Sequence, residues 1–306
     1  MNTIRRLLLS LLCSMLASPV LAMWAYIPRE IRLLEADAVV IGTIEKLAEG
    51  FAVDNRPHDV GVLTVRQVLK GPATLKEVRL AWPQRPKGNL FIADGPLHYA
   101  VGQQGLWILR RDAVRGVYQA DYPGDFQQVA NQEEVAAKLK PLAQIEWSPA
   151  KDGMQFALWA EQRTMRGATV QINGKPVVAL AQASIYVLAR NAGKELAHLA
   201  NHFPDRPMSL DYTGPDGKPI EVKLYGDPQP NPPPPQKHSF VALAPGAVRN
   251  IGYGFGLPPI TKPGAYTVKV KYTNQRDGQS LALAGVWRGT AAAPALKFNV
   301  QAVPTP

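Results

Sequence analysis

The stretch 62-VLTVRQVLKGPA-73 alternates apolar and polar side chains, then stops at a glycine and a proline. Leu63, Val65 and Leu69 make one mostly apolar face, interrupted by Gln67. Val60, Val62, Thr64, Arg66 and Val68 make a mixed face. A period of two predicts a strand with one side on a core and the other partly wet. Gly71-Pro72 ends it, because proline has no N–H for the ladder. On this reading Lys70 is the solvated end of a strand.

Working outward, four more segments read as strands. Residues 36–46, ADAVVIGTIEK, are rich in Val and Ile. VRLAW at 78–82, GLWILRR at 105–111 and GVYQADY at 116–122 follow. The polar piece 49–59 reads as a turn. Asn131, with Glu134 three residues on and VAAKLKPL after it, predicts a capped helix over 132–140. Five strands with a peripheral helix predict an OB-like barrel over 23–145.

The second half carries strand signals at 154–160, 168–173, 183–190, 208–212, 220–225, 240–243, 265–274, 283–288 and 296–300. Gly214-Pro-Asp-Gly217 joins two of them as a hairpin. Seven or more short strands with regular turn signals predict an immunoglobulin-like β-sandwich over 154–301, followed by a tail at 302–306. The fold class expected is all-β, in two domains. Residues 226–238, GDPQPNPPPPQKH, read as a stiff polyproline excursion between strands.

Two resemblances accompany this pattern. ADAVVIGTIEKL, VLTVRQVLKGP, VRLAW and VGQQGLWILRR, within residues 36–122, resemble the netrin-like, or tissue-inhibitor-of-metalloproteinase-like, OB domains of exported proteins. LAPG, KPGAYTVKVKY, GVWRG and KFNV look like bacterial immunoglobulin-like adhesion or inhibitor domains. The first resemblance implies a barrel. It also offers a role for an N-terminal aromatic segment, here Trp24 and Tyr26, which either docks into a partner's cleft as in that family or packs across the barrel mouth, as large aromatics usually do. Zinc chelation by an N-terminal cysteine does not carry over, because this chain has no cysteine at that place. The second resemblance implies a sandwich and says little about a ligand.

Residues 1–22 read as a secretory signal peptide: Arg5 and Arg6, an apolar run at 7–16, then Val20-Leu21-Ala22 before the cleavage site. Cys13, the single cysteine, lies inside that run behind Leu11 and Leu12, which does not suit lipidation. The mature chain then has no thiol, so disulfides and thiolate sites are excluded. Export without disulfides predicts a periplasmic or secreted bacterial protein. The formal charge of +10 includes Arg5 and Arg6, so +10 − 2 = +8 remains after cleavage. Such a charge favours anionic envelope surfaces or acidic proteins. Export sets nucleic acid aside as a partner, and after cleavage nothing in the sequence is expected to span a membrane.

No set of catalytic roles is legible. There is no G-x-S-x-G, and Ser148 with Lys151 matches S-x-x-K without the companion motifs. Gly-rich 252–258 is followed by prolines and reads as a bent strand. His198 and His202, in ELAHLANH, fall at i and i+4 if 194–203 is a helix, a spacing that can hold a metal ion. A third ligand would come from Glu195, Asp205 or His238. The expectation is therefore a secreted, non-enzymatic binding protein acting through protein–protein contact in the envelope, with protease inhibition as one form and no cofactor. The alternatives are a carbohydrate-binding or adhesion module, and a metal-binding protein using His198 and His202.

Overall fold

The computed structural model describes residues 27–53, 56–84, 97–128, 132–172, 175–180, 184–200, 208–220, 236–256 and 262–303. The proposed signal segment, Trp24, Tyr26, His202, Asp205 and the four-proline run lie outside them. Among the described residues there are eighteen strands and two α-helices, so the chain is mostly β. None of those helices is long and apolar enough to cross a membrane.

The N-terminal strands are β1 (Ala38–Val53), β2 (Arg56–Lys70), β3 (Glu77–Pro83), β4 (Gln104–Asp112), β5 (Val117–Gln119) and β6 (Phe126–Gln127). They run in the order β1-β2-β3-β5-β4, and β4 returns to pair with β1, which closes a ring; β6 adds to β4. The β3–β5 pair is parallel and the others are antiparallel. The interior is filled by Ile44, Leu63, Leu80, Trp82, Trp107 and Leu109. Tyr99 packs edge-on to Trp82 and Trp107 and donates to the Ala120 carbonyl (2.7 Å). The ring is thus a packed core and not a pore. One expectation shifts here and one gains a further cause. β1 runs on to Val53 and β2 starts at Arg56, so most of the expected turn at 49–59 is a long hairpin. Gly71 has φ +106°, and a Cβ there would meet the Asp37 carbonyl at 2.9 Å, which suits glycine as the strand's stop.

Helix α1 (Arg29–Glu35) is not signalled by the sequence reading, whereas α2 (Gln132–Leu142) is. A seven-residue helix does not hold itself in water. Here its surroundings supply what is missing. Ile31 and Leu33 are fully buried. Its last four carbonyls are all met: Arg32 by the Ala36 N–H, Leu33 and Leu34 by Lys70 Nζ (2.8 Å each), and Glu35 by Arg249 Nη1 (2.7 Å). Two cations thus stand at the helix C-terminus, where the dipole favours them. Arg32 pairs with Asp125 (2.9 Å) and lies over Tyr122, while Arg29 reaches Glu134 and Glu30 reaches Lys138 on α2. Lys70 is therefore not a solvated strand end. Burial brings its ammonium down to about 8, against Asp37 and Glu35, which favour the charge.

The C-terminal strands are β7 (Met154–Ala160), β8 (Thr164–Ile172), β9 (Lys175–Leu180), β10 (Ser184–Asn191), β11 (Ala197–Ala200), β12 (Met208–Thr213), β13 (Pro219–Ile220), β14 (Phe240–Leu243), β15 (Val248–Gly256), β16 (Gly264–Asn274), β17 (Gly289–Ala292) and β18 (Leu296–Val303). They make a three-stranded sheet β15-β10-β7, a pair β11-β14, and a larger sheet β13-β12-β16-β18-β8-β9 with β17 on β16. The three-stranded and larger sheets pack face to face. Phe156, Tyr272 and Trp287 meet at the centre with ring centroids 5.1–5.8 Å apart. The expected strand at 283–288 is absent: these residues follow a 3-10 turn (Gln279–Leu281) and pair with the sheets by an isolated bridge from His198 to Val286, while Asn274 Nδ2 donates to the Trp287 carbonyl (2.7 Å).

The three-stranded sheet is buried on both faces. Phe156, Ile185, Val187 and Ile251 face the larger sheet. Ala157, Tyr186 and Leu188 face α1 and the outside of β4, in one cluster with Ile31, Leu106, Ile108 and Val135. That explains why ASIYVLAR and MQFALWA are nearly continuous apolar runs where a half-wet antiparallel strand would alternate cleanly. The seam also holds charge. Arg249, 8% exposed, pairs with Asp37 (2.9 Å), and the Asn250 N–H donates to Glu35 Oε1 (2.8 Å). Burial pushes the Glu35 carboxyl above its usual range, although Arg110 and Arg249 pull the other way.

Candidate functional site

Three loops at one end of the face-to-face sheets enclose a groove of about 510 Å3. They are the turn at 152–153 before β7, the link 191–197 between β10 and β11, and the segment 285–288 before β17. Each loop is tied by named bonds. Asn191, at the end of β10 and only 2% exposed, spends its whole side chain on the second loop and its neighbour. Its Nδ2 donates to the Glu195 and Leu243 carbonyls (2.7 and 2.9 Å), and its Oδ1 accepts from the Gly193 N–H (2.9 Å). Trp287 Nε1 donates to the Lys151 carbonyl (3.1 Å), joining the third loop to the first. Asp152 and Gly153 both have positive φ, which brings Gly153 against Gly193.

His198 is the pin of the third loop. Its backbone N–H donates to Gly285 O (2.9 Å), its carbonyl accepts from the Trp287 N–H (3.0 Å), and its Nδ1 lies 2.8 Å from the Ala284 carbonyl. A carbonyl can only accept, so Nδ1 carries the proton. The helix expected over 194–203 is not what forms: residues 197–200 are strand β11, paired with β14. The i, i+4 argument for His198 and His202 loses its geometry, because it required a helix. The pair is not brought together among the described residues. Glu195 lines the groove, while His238 sits in a 3-10 turn (Lys237–Ser239). Among the described residues, no three His, Cys, Asp or Glu side chains cluster as metal ligands would.

The rim of the groove is charged with both signs: Asp152 and Glu195 against Lys194 and Arg288. All four side chains are exposed, and none forms an ion pair among the described residues. Groups held by a rigid floor, spread over three loops and unspent within the chain, are suited to meet complementary charges on another molecule. The groove is not legible in the sequence because its first loop is separated from the other two by 38 and 132 residues (191 − 153 and 285 − 153). Its one local signal was the pair of turn glycines, Gly153 and Gly193.

Ser148 also finds a structural use. Its hydroxyl accepts from the Phe156 N–H (3.0 Å) and its N–H donates to the Phe156 carbonyl (2.9 Å), which finishes the edge of β7. Lys151 donates to the Thr290 carbonyl (2.8 Å) instead of facing Ser148. The chain matches no protein-family model and no curated protein.

Proposed function

We propose that this is an exported, non-enzymatic binding protein of the bacterial envelope, and that the groove between loops 152–153, 191–197 and 285–288 seats a charged segment of a protein partner. One observation carries the reading: four exposed charges of both signs, without ion partners among the described residues, stand on loops whose backbones are locked by Asn191, His198 and Trp287. A preorganised rim of this kind spends little ordering entropy on association. Its mixed signs suit a polypeptide better than a uniformly anionic ligand.

The fold supports the reading at the level of scaffold. The ring order β1-β2-β3-β5-β4 with a parallel β3–β5 pair supports an OB-like, netrin-type N-terminal domain. The face-to-face sheets support an immunoglobulin-like second domain. Protease inhibition is the specific form that the netrin-like resemblance suggests.

Partner capture from an envelope extract tests it. The wild type retains a stoichiometric partner, and the combined variant Asp152→Asn, Lys194→Gln, Glu195→Gln, Arg288→Gln loses it while keeping its unfolding midpoint. Equal capture by the variant, or no partner at any salt concentration, retires the proposal.

A further inference from the structure

The larger C-terminal sheet has one face in the core and the other open. On β16, Tyr266, Val268, Val270 and Tyr272 point inward, so Lys269 and Lys271 point out. On β18, Leu296 and Phe298 point inward, and Lys297 points out. Register places Lys297 across from Thr267, which precedes Lys269 by two positions on the same face. Lys269 and Lys271 are themselves two positions apart. The strand repeat and the diagonal cross-strand spacing put neighbouring lysine positions about 7 Å from one another. Arg163 adds a fourth cation, its Nη1 lying 3.3 Å from the Lys297 carbonyl. Asp211, opposite Lys269, is the carboxylate on this part of the face.

The rest of the face is small and polar. Ser209, Thr267, Thr273 and Asn299 stand among the lysines, and no aromatic side chain projects there among the described residues. A protein partner's recognition usually rests on buried aromatic or arginine anchors in pockets. This face offers neither. It offers a lattice of ammonium groups, which act as point charges toward phosphate. None of the three lysines forms an ion pair among the described residues.

We propose that the outer face of β12, β16 and β18 docks on an anionic phospholipid surface through Lys269, Lys271 and Lys297, with Arg163 beside them. The excess of cations, spread over two adjacent strands, and the missing apolar anchors fit a layer of phosphate headgroups. Contact is electrostatic and peripheral: nothing on the face inserts into the acyl region. The groove and this face are separate surfaces, so the groove proposal can fail while this one stands.

Co-sedimentation of the purified protein with vesicles tests it. Vesicles of 30 mol% phosphatidylglycerol in phosphatidylcholine bind the protein at 50 mM salt and release it at 0.5 M, where the screening length is short. Pure phosphatidylcholine vesicles do not bind it. The triple variant Lys269→Gln, Lys271→Gln, Lys297→Gln binds the anionic vesicles about a hundredfold more weakly, taking the usual contribution of one juxtamembrane lysine three times. A matched triple variant on β1, the loop before β3 and α2 (Lys46→Gln, Lys76→Gln, Lys140→Gln) binds within a few-fold of the wild type. Equal loss in both triple variants would mean that total charge, and not this face, drives binding, and would overturn the proposal. So would undiminished binding by the first variant, or binding to soluble polyphosphate without binding to vesicles. Unchanged unfolding midpoints certify that the variants are folded, as surface substitutions of this kind leave them.

Discussion

Replacing Arg249 by methionine removes the cation that joins α1 to the three-stranded sheet. Arg249 is 8% exposed and makes three short bonds: to the Glu35 carbonyl (2.7 Å), the Val248 carbonyl (2.7 Å) and Asp37 Oδ2 (2.9 Å). Breaking a buried ion pair from one side typically costs about 3–5 kcal/mol, because the other charge stays behind. Asp37 retains a second donor, the Arg111 N–H (2.7 Å), and its side chain is 18% exposed, so the lower end applies. The last carbonyl of α1 is also left without its donor. The expected loss is about 3 kcal/mol, or about 6–12 °C in midpoint for a chain of this size. Urea unfolding followed by tryptophan fluorescence measures it. The double variant Asp37→Asn, Arg249→Met closes a thermodynamic cycle, with an expected coupling of about 1–2 kcal/mol. Hydrogen exchange should speed first in Arg29–Glu35, since that helix depends on its caps. A cost below about 0.5 kcal/mol, or additivity in the cycle, would refute the view that this pair fastens the seam.

Lys70 gives a pH signature. Its folded value of about 8 lies below the unfolded value near 10.5, so the unfolded chain binds the extra proton between them. Stability from this group therefore rises with pH across that window, by up to about 3 kcal/mol. Urea midpoints at pH 7.5 and 10 should differ by less in Lys70→Met than in the wild type, and equal differences would count against the assignment. Glu35 has the opposite sense: its folded value is raised above 4.5. Its contribution is fully present below pH 4.5 and is lost as pH rises through the folded value. Glu35→Gln should flatten the acid side of the stability profile and be neutral or stabilising at pH 7; a large loss at pH 7 contradicts this. Gly61→Ala places a Cβ 2.8 Å from the Trp82 ring and 3.0 Å from Ile44. Overpacking of that kind should cost about 1–3 kcal/mol in thermal unfolding, and a neutral result would mean that the ring interior yields.

The strands with strong local patterns were legible. Residues 154–160 and 183–190 stand out by composition alone, and they form β7 and β10. What was not legible depends on partners distant in sequence. α1 has seven residues, and its caps come from Lys70 and Arg249. Lys70 looked solvated because a helix 36 residues upstream in its numbering, not its own strand, supplies its acceptors. Residues 197–200 lost their helical option to β14 and to the loop that His198 pins. The alternation at 283–288 is interrupted by Gly285, whose φ is +68°. The groove is the same case on a larger scale: its charges are ordinary in sequence and are assembled only by three turns.

The two-sided burial of the β15-β10-β7 sheet has a consequence in time. Arg249 lies 214 positions after Glu35, whose carbonyl it caps. At ordinary synthesis rates of about 5–20 residues per second, that interval is about ten to forty seconds. Ile31, Leu106 and Ile108 stay uncovered until β7 and β10 bring Ala157, Tyr186 and Leu188, and α1 then still lacks its last cap until Arg249 arrives. An early-folding ring would thus carry a sticky patch that a holding chaperone can recognise. Release from such a helper would be timed by the arrival of β7 and β10, and a chain truncated before β7 should aggregate instead of idling as a folded half.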